Sequence, residues 1–321
     1  MLKIEKILLP VDFPNPSLNV IHQATTLARH FHSEIVMLHV VTARSRAADV
    51  AEHASESDSW DMLAVITQQA EKSSDHTLGQ ELKRVRIKPL LREGNAAQEI
   101  LQTAKLEQAN LIMMASDGPA FDQFLLGSET AELHGSECPV WTGGHVEKSE
   151  DPLTPDNPML LYGGAGMNRW ASMRTVRHEE PRAAVAEFGI HSVLCAVDLG
   201  PRSEKAVSWA AAIAAEFAAR LTLVHVTASV EFWGPGGNYV NPKWKEELVS
   251  DARQRLAKLK QDMRIEADTL IGSGDVPKML SQAAEQTKAD LMVTGCYPYE
   301  GNLRIHGYAI IRAVPIPVLS V

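Results

Sequence analysis

Cysteine is scarce: Cys138, Cys195 and Cys296 are the only three in 321 residues. An odd number with no Cys-x-x-Cys spacing excludes a disulfide framework and a zinc knuckle. Long apolar runs are missing too, and no stretch approaches the ~18 apolar residues that a membrane-spanning helix needs. Met1-Leu2-Lys3-Ile4-Glu5-Lys6 leads straight into the short run Ile7–Val11. A secretory leader needs a longer apolar segment and a small-residue cleavage site. Positive charge is also in deficit: 31 Lys and Arg face 40 Asp and Glu, a formal net charge of −9. That excess of acid works against broad electrostatic binding to nucleic acid or to an anionic membrane. The expectation is a soluble cytoplasmic protein with neither nucleic acid nor membrane as a partner.

The chain is 45% hydrophobic and 22% charged, enough apolar residues for a substantial core. Its length fits two domains at the usual ~150 residues each. An internal repeat supports that division. Lys6-Ile7-Leu8-Leu9-Pro10-Val11-Asp12 resembles Ser192-Val193-Leu194-Cys195-Ala196-Val197-Asp198, and Ile35–Val40 matches Leu221–Val226, both at an offset of 186. Asn110–Met113 pairs with Asp290–Val293, and Gly127 with Gly307, at an offset of 180. Pro139-Val140 pairs with Pro317-Val318 at 178. Small drops between elements are what changes in loop length produce.

Each copy alternates strand and helix. Strands are predicted near 6–11, 34–41, 84–91, 110–115 and 138–142, with helices near 17–32, 57–81, 95–108 and 126–135. The second copy has strands near 191–197, 220–226, 264–271, 290–295 and 316–321, with helices near 202–218, 242–262, 275–287 and 303–313. Strands such as Val193–Val197 are apolar throughout, as in a sheet covered by helices on both faces. Val207, Ala210, Ala211, Ala214 and Phe217 recur at helical spacing. The fold class is therefore α/β, with two doubly wound, parallel, five-stranded sheets in tandem. The domains run over 1–145 and 190–321, with a linker over 146–189. The linker carries Pro152, Pro155, Pro158, the run Gly163-Gly164-Ala165-Gly166 and a charged stretch, Arg177–Arg182, with short helices near 169–178 and 182–188. Gly163–Gly166 follows no strand and lacks the Lys-Ser/Thr of a phosphate loop.

Ligands of such sheets sit beyond the carboxyl ends of the strands where strand order reverses. The residues there in copy one are Pro10-Val11-Asp12 and Ala115-Ser116-Asp117-Gly118, followed by Phe121–Thr130. Gly118 has no Cβ, so backbone can approach a phosphate closely. Gly127 and Ser128 open a predicted helix, where free N–H groups and the dipole favour an anion. Together with Asp12, His39-Val40 and Cys138-Pro139-Val140, these residues resemble the universal stress protein family. ATP-binding members carry Gly-x-x-Gly, a spacer, then Gly-Ser or Gly-Thr. The resemblance covers about 1–142 and 190–321. It implies an adenine-nucleotide alpha-hydrolase-like, Rossmann-like fold, with ATP as the ligand. It also implies that Val40 backbone meets the adenine, and that Asp12 lies near the ribose or a bound Mg²⁺.

Copy one departs from that pattern at Ala115, which stands where the first Gly is expected, and its spacer of eight residues is one short. Its loop has no Lys or Arg but holds Asp117 and Asp122, which repel a triphosphate unless Mg²⁺ intervenes. Copy two keeps Asp198, Val226 and Gly295, but has Pro298 for the second Gly and Gly307-Tyr308 for Gly-Ser. Pro removes an amide donor. Arg304 offers a compensating charge, and copy two reads as a structural partner with a degenerate site.

Plainer roles stand beside these. Asp12 and Asp198 can simply close strands and cap turns. His39 and His225 lie in apolar strands and read as core histidines, and Trp60, Trp141, Trp209, Trp233 and Trp244 as packing residues. The loop Glu231–Gly237 can cover a ligand or a partner surface. No histidine cluster has metal-ligand spacing, and no catalytic residue is assigned. No general base stands beside a phosphate, so any ATP hydrolysis is slow. The expected function is a stress-response sensor that binds ATP or a related nucleotide in copy one. Its rivals are a nucleotide-free scaffold or adaptor and an ATP pyrophosphatase or transferase. The resemblance also implies that the fifth strands pair across a twofold axis; here Cys138–Thr142 and Ile316–Val321 would pair within one chain as a pseudo-dimer, and such chains can associate again as a homodimer. Protein partners stay unassigned.

Overall fold

The computed structural model describes residues 2–11, 16–41, 64, 66–67, 78–115, 138–143, 189–201, 203–227, 232–234, 237–239, 242–295 and 309–321. In the first half, strands are β1 (Lys6–Pro10), β2 (Glu34–Val41), β3 (Arg86–Glu93), β4 (Leu111–Met114) and β5 (Val140–Thr142). Its helices are α1 (Leu18–Phe31), α2 (Leu78–Leu82) and α3 (Ala96–Glu107). The second half has β6 (Ser192–Ala196), β7 (Arg220–Thr227), a hairpin of β8 (Phe232–Gly234) and β9 (Gly237–Tyr239), then β10 (Asp268–Ser273), β11 (Leu291–Thr294) and β12 (Val318–Ser320). Its helices are α4 (Ser203–Glu216), α5 (Pro242–Met263) and α6 (Val276–Thr287), and residues 309–313 are also helical.

Within each half the strands are parallel, in the order β3-β2-β1-β4-β5 and β10-β7-β6-β11-β12. The order reverses between β1 and β4, and between β6 and β11. β5 and β12 then pair antiparallel, with Trp141 opposite Leu319, so the halves share one ten-stranded sheet. Residues 1–145 and 189–321 form one compact unit.

The central strands are apolar on both faces because helices cover both. Ile7, Leu8, Ile35, Val36, Leu38, Ile112 and Met113 are all fully buried, as are Val193, Leu194, Leu223, Met292 and Val293. Ala-rich stretches of α3 and α6 (Ala97, Ala104, Ala283, Ala284) let these helices lie close on the sheet. Asn95 caps α3, accepting from Ala97 and Gln98 N–H groups at 2.9 and 3.2 Å. Asp275 caps α6, accepting from Lys278 N–H at 3.0 Å. Such caps are worth about 1 kcal/mol each. The helices end on left-handed residues: His32, Gln108, Ala218, Arg264 and Lys288 all have φ between 50° and 57°.

The repeat extends to single hydrogen bonds. Asn110 Oδ1 accepts from Glu5 and Lys6 N–H, both at 2.9 Å, and Asp290 Oδ2 accepts from His191 and Ser192 N–H at 2.7 and 2.9 Å. The halves differ beside that clamp. Lys6 and Lys88 converge on Glu107 at 3.3 and 2.8 Å, and the hydrogen bond from Lys88 leads in holding its carboxyl below the usual carboxylate range. Position 287, the counterpart of Glu107, is Thr287, bonded to its own helix.

Several expectations shift. The third strand of each half begins later than its hydrophobicity suggests, at Arg86 and at Asp268. In the second half α5 runs on to Met263 and stops only at left-handed Arg264. The stretch read as loop 231–237 contains the first strand of an antiparallel hairpin. Trp244 on α5 is 47% exposed, and Leu248 one turn on is 40% exposed. The predicted helix 126–135, most of 57–81 and the linker 146–188 lie outside the described residues. Among the described residues, no helix is long and apolar enough to cross a membrane.

Candidate functional site at the strand switch point

The apolar runs Ile7–Leu9 and Leu111–Met114 become neighbouring parallel strands because both need cover on two faces. Their pairing brings Pro10–Val11 and Ala115 to the same end of the sheet, at the reversal of strand order. β2 lies on the other side of β1, and its end carries Val40. Thus Pro10, Val11 and Val40 share one edge. Asp12, Ser116, Gly118, Gly127 and Ser128 lie outside the described residues, as does Gly307.

Two bonds fix this edge. Val11 N–H donates to Leu38 carbonyl at 2.8 Å, and His39 Nδ1 lies 3.0 Å from Val11 carbonyl. The second half repeats both. Val197 N–H donates to Val224 carbonyl at 2.9 Å, and His225 Nδ1 lies 2.7 Å from Val197 carbonyl. The two histidines are therefore tethers that hold the end of the first strand against the second. That is a satisfied, half-buried role, as their apolar setting suggested. Glycines turn the chain beyond the second strand's partner. Gly94 and Gly274 have φ of 147° and 129°, and donate to Val41 and Thr227 carbonyls. A side chain at either would be strained there.

The second half's edge is described further. Asp198 follows Val197 and is exposed, yet its Oδ1 accepts from Gly200 N–H at 2.9 Å and from Ser203 Oγ–H at 2.7 Å. A Cβ on Gly200 would stand 2.8 Å from Asp198 Oδ2, so a larger residue there would push the carboxylate aside. Between them Leu199 takes φ 61°, a conformation costing a branched residue about 1 kcal/mol. Arg255 of α5 donates to its carbonyl at 2.6 Å. Asp198 thus closes its own loop, the plainer of the two roles its sequence position allowed. Gly295 and Val226 lie at the ends of β11 and β7 around it.

Ser203 and Arg255 were not singled out from sequence. The spacing Asp198-x-Gly200-x-x-Ser203 is the signal for the first; Arg255 is one of many exposed helix charges and carried none. Burial pushes the Cys195 and Cys138 thiols up to about 12, so neither is a nucleophile at neutral pH. Among the described residues no group of His, Cys, Asp and Glu could hold a metal ion.

Comparison with known proteins agrees with the architecture. The sequence profile of the Universal stress protein family matches residues 3–142 and again 189–321. Universal stress protein A homolog 1 of Coxiella burnetii is 31% identical over 137 residues, spanning 40% of this chain and 94% of its own length. A Pasteurella multocida universal stress protein A homolog is 33% identical over 32% of this chain and 74% of its own. Among solved structures, a universal stress protein from Archaeoglobus fulgidus covers 99% of this chain and 96% of its own at 16% identity, with a TM-score of 0.54. A functionally unknown protein from Pseudomonas aeruginosa covers 99% and 92% at 15% identity, with a TM-score of 0.58.

Proposed function

The chain belongs to the universal stress protein family, and from that premise we propose that its first half binds ATP or a related nucleotide while its second half serves as a structural partner. Membership supports a role in the stress response. The observation that carries the proposal is the reversal of strand order between β1 and β4, which gathers Pro10–Val11, Val40 and Ala115 at one edge. The chain leaving that edge supplies Ser116, Gly118, Gly127 and Ser128, residue types suited to phosphate. The residues fit such a ligand in one further respect: the His39 tether uses the Val11 carbonyl and leaves the strand end rigid. Mg²⁺ carried with the nucleotide would supply the positive charge that the loop, with Asp117 and Asp122, lacks. In the second half Asp198 is already committed to Gly200 and Ser203, which supports reading that site as closed.

The protein then acts as a sensor, in which occupancy rather than turnover is the signal, and it resides in the cytoplasm. A nucleotide-free scaffold is the second reading. The absence of Lys and Arg from Ala115–Thr130 favours it. Calorimetry with Mg-ATP on the full chain separates the two. Saturable binding at a single site, lost in Gly127→Glu, supports the sensor. No heat at millimolar nucleotide removes it and leaves the scaffold.

A further inference from the structure

Positions related by the repeat face one another where the halves meet. Phe31 and Phe217 are equivalent at the 186-residue offset and meet edge to face, with ring centroids 6.0 Å apart. Ile4 with Ile190, and Leu27 with Ile213, are further equivalent pairs, and all six side chains line one apolar depression at the seam. On a true twofold axis a residue meets a copy of itself. Phenylalanine tolerates that, because an aromatic ring packs well on another.

Two self-facing positions have diverged. His30 meets Glu216, its equivalent 186 residues on, with Nε2 3.3 Å from Oε1 and the imidazole stacked on Phe217 at 4.5 Å. Trp141 of β5 lies directly opposite Leu319 of β12, and the 178-residue offset makes these equivalent as well. Trp141 is 2% exposed and donates its indole N–H to Gln23 Oε1 at 2.9 Å. The counterpart of Gln23 is Trp209, so the large ring stands on the strand in one half and on the helix in the other.

Pairing of half one with half one would set His against His and Trp against Trp. Half two with half two would set Glu against Glu and Leu against Leu. Adjacent carboxylates repel. Two indoles overfill a space shaped for one indole and one leucine, and two leucines leave a void. Specificity is a difference of affinities, and each wrong pairing carries a penalty at both positions.

We propose that the His30–Glu216 and Trp141–Leu319 pairs make the two halves of this chain select each other and reject the same half of a second chain. The edge of β5 that faces away from β4 therefore has one fitted occupant, the β12 that pairs with it in this chain.

Each like-with-like contact can be written into the full-length chain and read by urea unfolding with circular dichroism. His30→Glu recreates acid against acid and Glu216→His base against base. Each lowers the folded-to-unfolded ratio about three- to fivefold. The double exchange, His30→Glu with Glu216→His, returns to within about twofold of the natural chain. Leu319→Trp lowers the ratio about tenfold or more, and adding Trp141→Leu recovers part of that loss. An exchanged pair as unstable as the single variants, or single variants equal to the natural chain, overturns the proposal. Should Leu319→Trp fail to fold, the charge exchange decides alone.

Discussion

In half one Asn110 gathers the N–H groups of Glu5 and Lys6; in half two Asp290 gathers those of His191 and Ser192. His39 and His225 tether the ends of the first strands in the same way. Beyond the strand ends the two sequences diverge. Asp198 is bound into its own turn, with Leu199 held in a left-handed conformation by Arg255. Half one has Asp12-Phe13-Pro14-Asn15-Pro16 at that place, with Pro14 where half two has Gly200. A scaffold can thus keep its clamps and tethers through duplication while the sequence beyond the strand ends diverges.

The comparison can be tested at several points. The largest effect is expected at Trp141. Trp141→Ala leaves a void and strips Gln23 Oε1 of its donor, costing about 3–5 kcal/mol in urea unfolding, against about 2–4 kcal/mol for Leu319→Ala on the facing strand. Next come the clamps. Asn110→Ala and Asp290→Ala each cost about 1–3 kcal/mol, since both strip two strand N–H groups of their acceptor. Equal losses show that the duplicated bonds do equal work, and a loss in one half alone breaks the equivalence. If the first half is the nucleotide half, Asp12→Ala weakens Mg-ATP binding about tenfold, or roughly 1.4 kcal/mol, while Asp198→Ala leaves calorimetric binding unchanged.

The smallest effect sharpens the contrast between Glu107 and Thr287. The folded-state pKa of Glu107 is depressed, chiefly by Lys88, so its contribution is present above the unfolded value of 4.5 and is lost as pH falls through the folded value. Glu107→Gln should therefore cost less than about 1 kcal/mol at pH 7 and nothing in strong acid, as read from unfolding midpoints across pH. Thr287→Ala should show no such pH dependence. Cys138 and Cys195 stand where the other half has Ile316 and Leu9. In a Cys296→Ser chain neither should react with iodoacetamide at pH 8 until the protein unfolds, as mass spectrometry would report.

Much of the scaffold was legible in the sequence. Two apolar strands closed by Asp, two His-Val pairs and a near-constant offset specify a duplicated parallel sheet. The close of the third strands was less so, because Arg86–Glu93 and Asp268–Ser273 are edge strands with mixed polarity. An edge strand is wetted on one side and carries little hydrophobic signal. The Asp198 turn depends on a left-handed leucine, for which sequence gives no warning. The matched pairs at the seam need the register of β5 on β12 before His30 and Glu216 can be recognised as facing each other. Gly118, Gly127 and Ser128 were legible only through their place after the strand ends and the family motif spacing, and they lie outside the described residues.

The seam also orders events in time. It joins residues as far apart as Thr142 and Val318, 176 positions along the chain, through only three residues of each strand. Contacts so distant form late, after the local strand–helix units have assembled. During synthesis the first half emerges well before its partner exists. Through that interval β5 is an open strand edge, and the ribosome's pace sets how long the nascent chain must carry it uncovered.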